Sequence, residues 1–465
     1  MTMPATKKKA GLFSEGWELP AAAWLVVALA CGLARRRTEG LGEERGRSTP
    51  GFGQPVYSTS GPLECGPAEL EHLSELPARG LHVLTLSDPH AAICEGGPGS
   101  SFEVRAYVDG YSGVSAVPLT LSCDSALSVR AWLLRPLRRA VREQRPKVHA
   151  DLRKRGLLQN TLAETERERP PPPGLSWRLF TPFGTGLSSE VRGALEAFGT
   201  CSTLYLFEGG SFVWPGVREG YTVRVPTGDP VLPTTTLTTL SLQPRVFAVS
   251  PLLTDLEGAQ LIRSADMEMA SGRAYRATGG RTSTNLRLLK GNAGGGEGVR
   301  QLEIRAHRVL HTPRDHFEQL EILRYRTGER YKAHYDYFTR DESTCDTDPG
   351  MTRLLTDEQT GAERNRLATM LWYLSSHSDD EGGGTHFPLA ELLSQGRTTS
   401  TATSDAECGA GGLKVQPRLG NASLWYNLRP DGASDRSSKH SGCAPRGGSV
   451  KWAMNLWAWS SPSGT

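Results

Sequence analysis

His334 and Asp336 sit two apart within Tyr-Arg-Thr-Gly-Glu-Arg-Tyr-Lys-Ala-His-Tyr-Asp-Tyr-Phe, residues 325–338. On an extended strand, side chains at i and i+2 leave the same face. An imidazole beside a carboxylate supplies two ligands of a two-histidine, one-carboxylate site. Such a site holds Fe(II) on one triangular face and leaves the other positions open for a co-substrate and O2. A lone His-x-Asp pair is common, so the reading needs a second histidine at the end of a distant strand. His440 supplies it, 104 positions after Asp336 (440 − 336), in Ser-Ser-Lys-His-Ser-Gly-Cys-Ala-Pro-Arg-Gly-Gly-Ser-Val-Lys-Trp. Lys451 follows eleven positions later. His377 and His386 compete as ligands, but nothing places them on the metal face, and both read as structural.

Further residues fall into a known pattern. Tyr325, Gly328, Tyr331, His334, Asp336 and Phe338 match Tyr-x-x-Gly-x-x-Tyr-x-x-His-x-Asp-x-Phe. Gly382-Gly383-Gly384-Thr385-His386-Phe387-Pro388 matches a Gly-Gly-x-Thr-x-Phe-Pro turn, and Pro430-Asp431-Gly432 a second turn ahead of the distal histidine. His440, Cys443, Pro445, Lys451, Trp452 and Trp457 close the pattern. Residues 240–459 thereby resemble the prolyl 4-hydroxylase branch of the Fe(II)/2-oxoglutarate dioxygenases. An N-terminal anchor also resembles the plant and algal members. Two departures stand out. Ala444 separates Cys443 from Pro445, and the interval from His440 to Lys451 is one residue longer than in the family. A one-residue bulge would absorb the difference and keep Lys451, not Val450, facing the site.

The resemblance implies Fe(2+), 2-oxoglutarate, O2 and ascorbate as cofactors, with His334, Asp336 and His440 on the metal. Lys451 is expected to hold the distal carboxylate of 2-oxoglutarate, because a buried ammonium without a partner is costly and a carboxylate pairs well with one. Tyr325 and Thr369 are expected to add hydroxyl contacts to the same co-substrate. The implied substrate is a peptidyl proline in a proline-rich or collagen-like chain. Tyr331 and Trp457 are candidates for its groove, since aromatic faces suit a proline ring in an extended polyproline II peptide. Two other readings stay open: the same oxygenase chemistry on another side chain or a small molecule, and an inactive barrel that binds proline-rich peptides.

The elements that must position these residues are mostly strands. Pro244–Val249, Ala368–Leu374, Asn421–Leu428 and Lys451–Trp459 read as strands, with Gly-rich turns between, and Leu320–Tyr325 leads into the strand that carries His334 and Asp336. Thr254 three before Glu257 is a capping box that opens a helix, with Leu256, Leu261 and Ile262 as its apolar side. Residues 301–323 read as mainly helical, 340–366 as a long loop of the kind that forms a lid, and 395–412 as a Ser/Thr/Gly-rich excursion. The expected fold is α+β, mainly β: a double-stranded β-helix, or jelly roll, over 240–460 with flanking helices. An accessory region of unknown function, 61–235, precedes it. That region carries short strands such as Phe102–Val108, Thr203–Phe207 and Tyr221–Val225, and an arginine-rich amphipathic helix near 130–155. Pro170–Pro173 reads as a stiff break, and the Thr-rich run 234–241 as a connector.

Length permits two to three domains and an ample core in 465 residues. A net charge of +3 is too small to imply nucleic acid. The eight cysteines show no zinc spacing and permit disulfides in an oxidising compartment. Residues 19–34 carry no charge and lie between Lys7–Lys9 and Arg35–Arg37. They are short of the ~20 apolar residues of a full span, and read as a signal anchor or cleaved signal peptide over 1–36, followed by a flexible stalk over 37–60. The expected location is the endoplasmic reticulum or Golgi membrane with a lumenal catalytic domain, or secretion after cleavage. The sequon Asn421-Ala422-Ser423 lies in a predicted core strand and is expected to be unused.

Overall fold

Lys-Trp-Ala-Met-Asn-Leu-Trp-Ala-Trp, Lys451–Trp459, is apolar on one alternating face and mixed on the other, and it becomes a central strand buried on both sides. Trp452, Met454, Leu456 and Ala458 point into the main core, while Lys451, Ala453 and Asn455 line a cavity. The computed structural model describes residues 72–89, 93–157, 177–277, 280–288, 297–338, 364–390, 408–409 and 411–462. The expected N-terminal segment, the stalk, Pro170–Pro173 and most of the loops 340–366 and 395–412 lie outside these residues.

In chain order, the N-terminal part contains β1 (Leu81–Leu86), β2 (Ser101–Tyr107), β3 (Val117–Ser122), α1 (Arg135–Lys154), β4 (Arg178–Phe180), α2 (Val191–Cys201) and β5 (Thr203–Phe207). There follow β6 (Thr222–Pro226), β7 (Thr234–Leu242), β8 (Arg245–Ser250), α3 (Asp255–Ala270), β9 (Tyr275–Arg276), β10 (Thr284–Arg287), α4 (Glu297–Leu310), β11 (Glu321–Tyr325) and β12 (Tyr331–His334). The last strands are β13 (Arg366–Tyr373), β14 (Thr385–Phe387), β15 (Leu413–Val415), β16 (Ala422–Tyr426), β17 (His440–Gly442) and β18 (Lys451–Trp459).

A nine-stranded antiparallel sheet runs β6-β7-β8-β16-β13-β18-β11-β10-β9, and a four-stranded sheet runs β12-β17-β14-β15. Val246, Leu323, Leu371, Tyr373, Trp425 and Ala453 of the large sheet meet Phe387, Tyr331, Leu413 and Val415 of the small one. Two sheets facing each other across such a layer fit a jelly-roll oxygenase domain. Helices α3 and α4 cover the outer face of the large sheet, with Leu261, Ala265, Leu302 and Ala306 in the main core. The capping box forms as expected: Thr254 and Glu257 satisfy each other's backbone N–H groups. Leu256, expected on the apolar side, is 65% exposed; Gly258, Leu261 and Ala265 face inward instead.

The N-terminal strands form a five-stranded sheet, β3-β2-β1-β5-β4. One face packs on α1 and α2 through Leu84, Leu204, Leu137 and Phe198. The other face, with Leu81, Val83, Tyr205 and Phe207, belongs to the main core. Tyr57–Thr465 is one compact unit. The run 234–241, expected as a connector, is β7, paired with β6 and β8. Its threonines are β-branched, and Thr235, Leu237, Thr239 and Ser241 alternate inward, so the run satisfies a strand on both counts. The large sheet therefore starts near Thr222 rather than near Leu240. Arg145 of the arginine-rich α1 turns inward to Asp109 (2.8 Å) and Glu208 (3.1 Å). Disulfides join Cys94 to Cys123 and Cys408 to Cys443.

Where the two parts meet, the backbone of the N-terminal sheet touches the Pro430-Asp431-Gly432 turn directly. Gly209 N–H donates to the Pro430 carbonyl (2.8 Å). A Cβ on Gly209 would lie 2.6 Å from Gly432 N, and one on Gly80 2.4 Å from Asp431 N. Arg79 pairs with Asp431 at 3.2 Å beside these contacts.

Candidate active site

His334 ends β12 and His440 opens β17, and the two are cross-strand partners. Antiparallel pairing thus brings together residues 106 apart (440 − 334). Each ring is held by its Nδ1–H, which donates to a backbone carbonyl two residues earlier: Lys332 for His334 (2.8 Å) and Ser438 for His440 (2.9 Å). That bond fixes the tautomer and leaves each Nε2 with a free lone pair. Both Nε2 atoms face Asp336, at 3.5 Å from Oδ1 for His334 and 3.4 Å from Oδ2 for His440. One ligand atom from each of the three lies within 4.8 Å of the others. The donor set is two imidazoles and one carboxylate, which suits Fe(II) and leaves coordination positions open.

The electrostatics agree. Burial alone would raise the Asp336 pKa, but the imidazoles of His440 and His334 and the Arg366 guanidinium outweigh it and hold the carboxyl well below its usual range. Burial lowers the His440 imidazole to about 4, so it is neutral at pH 7. A charged carboxylate beside the neutral His440 imidazole suits the binding of a cation.

Behind the histidines, a cavity of about 380 Å³ including its mouth is lined by Lys451, Tyr325, Thr385, Asn455, Arg281 and Trp425, among others. Lys451 and Tyr325 are neighbours across β18 and β11. Lys451 is 2% exposed and Val450 36%, so the longer interval after His440 leaves the lysine facing inward. Gly447 and Gly448, both at positive φ, form the turn before β18. Among the described residues the Lys451 ammonium has no hydrogen-bond or ion-pair partner. The rings of Tyr325 (5.6 Å) and Tyr373 (5.9 Å) lie near it. Burial pushes the amine down to about 7. A buried ammonium with no charged partner among the described residues, in the cavity that also holds His334 and His440, fits a dicarboxylate co-substrate chelating a metal at its other end.

Thr369 is elsewhere. Its hydroxyl donates to Asp336 Oδ2 (2.7 Å) and accepts from Asn427 Nδ2 (2.9 Å), so it serves the metal ligand and not the co-substrate end. The threonine beside Lys451 is Thr385, whose Oγ1 accepts from the Tyr373 hydroxyl (3.0 Å). The Gly-Gly-x-Thr-x-Phe-Pro motif contained it, but the motif had been read only as a turn. Tyr331 lines the cavity mouth. Trp457 lies under the Arg366 guanidinium, 4.0 Å from its ring, and Arg366 in turn reaches the Asp336 carbonyl and the Glu318 carboxylate. His377 contacts the Val450 carbonyl and the Ser375 hydroxyl, and His386 donates to the Gly411 carbonyl, so neither joins the metal ligands.

Comparison with known proteins gives three findings. The profile of the 2OG-Fe(II) oxygenase superfamily matches residues 320–459. "Probable prolyl 4-hydroxylase 10" of Arabidopsis thaliana is 33% identical over 224 residues, 47% of this chain and 70% of that protein. "Prolyl 4-hydroxylase 5" of the same plant is 32% identical over 47% of this chain and 69% of its own length. Among solved structures, a viral collagen prolyl hydroxylase from Paramecium bursaria Chlorella virus-1 aligns over 46% of this chain and 95% of its own, with 19% identity and a TM-score of 0.32.

Proposed function

Because this chain belongs to the prolyl 4-hydroxylase branch of the 2OG-Fe(II) oxygenases, we propose that it hydroxylates peptidyl proline, with Fe(II), 2-oxoglutarate and O2 as cofactors and ascorbate as the family's usual reductant. The observation that carries this is the convergence of His334, Asp336 and His440 on one point, with the unpartnered Lys451 ammonium behind it.

Fe(II), 2-oxoglutarate and O2, when bound, would supply the chemistry that replaces an unactivated C–H with C–OH, one oxygen atom of O2 going to the product and the other to succinate as CO2 leaves. The chain's residues do the rest. His334 and His440 present Nε2, and Asp336 presents its charge. Lys451, Tyr325 and Thr385 hold and orient the distal carboxylate. Leu323, Leu371, Trp425 and Ala453 keep the inner wall apolar and exclude water. Tyr331, at the mouth, and Trp457 offer aromatic faces to an extended proline-rich or collagen-like peptide. We further place the enzyme in the lumen of the secretory pathway. The disulfides and the uncharged 19–34 segment between basic flanks support this.

The test is anaerobic loading with Fe(II), then 2-oxoglutarate, O2 and a proline-rich peptide. Succinate release and one oxygen added to proline are expected, both lost in His334→Ala. Full turnover by that variant would refute the assignment. Protease protection of the catalytic part in intact microsomes tests the location.

A further inference from the structure

We propose that Asn427, which no binding or catalytic role yet touches, is a positioning residue that ties two metal ligands, Asp336 and His440, to one point of the scaffold. The proposal rests on the reading of the triad as an iron site.

Asn427 directly follows β16 and is fully buried. Its side chain reaches Asp336 through one intermediary: Asn427 Nδ2 donates to Thr369 Oγ1 (2.9 Å), and Thr369 Oγ1 donates to Asp336 Oδ2 (2.7 Å). A threonine hydroxyl has one proton. The amide nitrogen can only donate, so the threonine oxygen must accept there. Its proton is then committed to the carboxylate. Asn427 thus sets the direction of the bond that orients Asp336.

Its backbone reaches His440. The Asn427 carbonyl accepts from Asp435 N–H (2.8 Å). Asp435 caps the single turn Arg436–Ser438: Oδ1 accepts from Ser437 N–H (2.9 Å) and its carbonyl from the Ser438 hydroxyl (2.7 Å). The Ser438 carbonyl then receives the His440 Nδ1–H (2.9 Å). Asp336 sits just after β12 and His440 on β17, separate stretches of chain, yet both trace to Asn427 in a few bonds. The Asn427 N–H donates to the Leu367 carbonyl (2.8 Å), which fixes β13 and Thr369 to the same point.

A packing role does not account for an asparagine here. Its Oδ1 is buried with no hydrogen-bond partner among the described residues, a cost that leucine, with the same branching of heavy atoms, would avoid. The polar group is explained by what Nδ2 does.

The test is Fe(II) affinity by anaerobic equilibrium dialysis of the full chain, with no turnover involved. Removing such outer partners of a ligand typically weakens metal binding about 10- to 100-fold. That loss is expected for Asn427→Leu and Thr369→Val, with melting temperatures close to the parent, and Thr369→Ser is expected to bind like the parent. Asn427→Asp keeps the shape but accepts the threonine proton, so it should lose affinity as well. If Asn427→Leu fails to fold, Asn427→Asp decides. Parent-like Fe(II) binding by a folded Asn427→Leu or by Asn427→Asp overturns this proposal alone. Failure of the parent chain to bind Fe(II) overturns the iron reading and this proposal with it.

Discussion

The ring of Tyr331 lies flat against the His334 imidazole, with centroids 3.5 Å apart and planes 22° from parallel. The Arg281 guanidinium sits 4.9 Å from the same tyrosine ring. Tyr331 therefore clamps a ligand as well as lining the cavity mouth. An aromatic stack of this kind contributes about 0.5–1.5 kcal/mol, so Tyr331→Ala should weaken Fe(II) binding by roughly 3- to 10-fold. Tyr331→Phe should keep it. Dialysis with Fe(II) checks this, and an effect confined to the peptide KM would mean that the ring serves only the substrate.

Lys451 should make stability and co-substrate binding depend on pH. Its amine falls to about 7 in the folded chain, against 10.5 when exposed. Between those values the unfolded chain holds the extra proton, so apo stability should rise with pH across that window. Lys451→Met should flatten the rise, read by thermal melts from pH 7 to 10. A dicarboxylate needs the charged amine, so 2-oxoglutarate binding should take up a proton above pH 7 and weaken as pH climbs. Calorimetry in buffers of different ionisation heat reads that uptake. Losing a hydrogen bond to a charged group, Lys451→Met should weaken 2-oxoglutarate binding about 10- to 100-fold.

The Cys408–Cys443 bond spans 35 positions and ends three residues after His440. Loop closure of that size stabilises by about 3–4 kcal/mol. The double variant Cys408→Ser/Cys443→Ser should melt several degrees lower than the parent. A thiol reductant should lower the parent's melting point and leave the variant's less changed. Equal melting points would show that the bond is dispensable.

Gly209→Ala places a methyl 2.6 Å from the Gly432 nitrogen, backbone that has no rotamer to give. Overpacking of this sort costs about 1–3 kcal/mol. Denaturant unfolding should show that loss. Gly199→Ala is the control, because its added carbon meets nothing within 4 Å.

The candidate triad was legible because His334, Asp336 and His440 sit in short motifs, although only His334 and His440 form a cross-strand pair and Asp336 lies in the bend just after β12. Lys451 was legible because a lysine in a tryptophan-rich strand needs a reason. Thr369 and Thr385 were confused because both are threonines on apolar strands, and only the pairing of β13, β14 and β18 separates the face near Asp336 from the face near Lys451. Asn427 was invisible for the same reason: its two chains of hydrogen bonds pass through residues far apart along the sequence. The threonine run 234–241 was misread because composition suggested a linker, whereas alternate burial of β-branched residues makes a strand.

Strands β6 and β7 precede the region that resembles the family most, yet they finish the flank of its large sheet. A gene fragment starting at codon 240 would encode the ligands and most of the barrel but leave β8 as a raw, hydrogen-bond-hungry border, open to strangers. Anyone trimming this enzyme for expression, or grafting its oxygenase half onto another leader, should cut well upstream of Thr222.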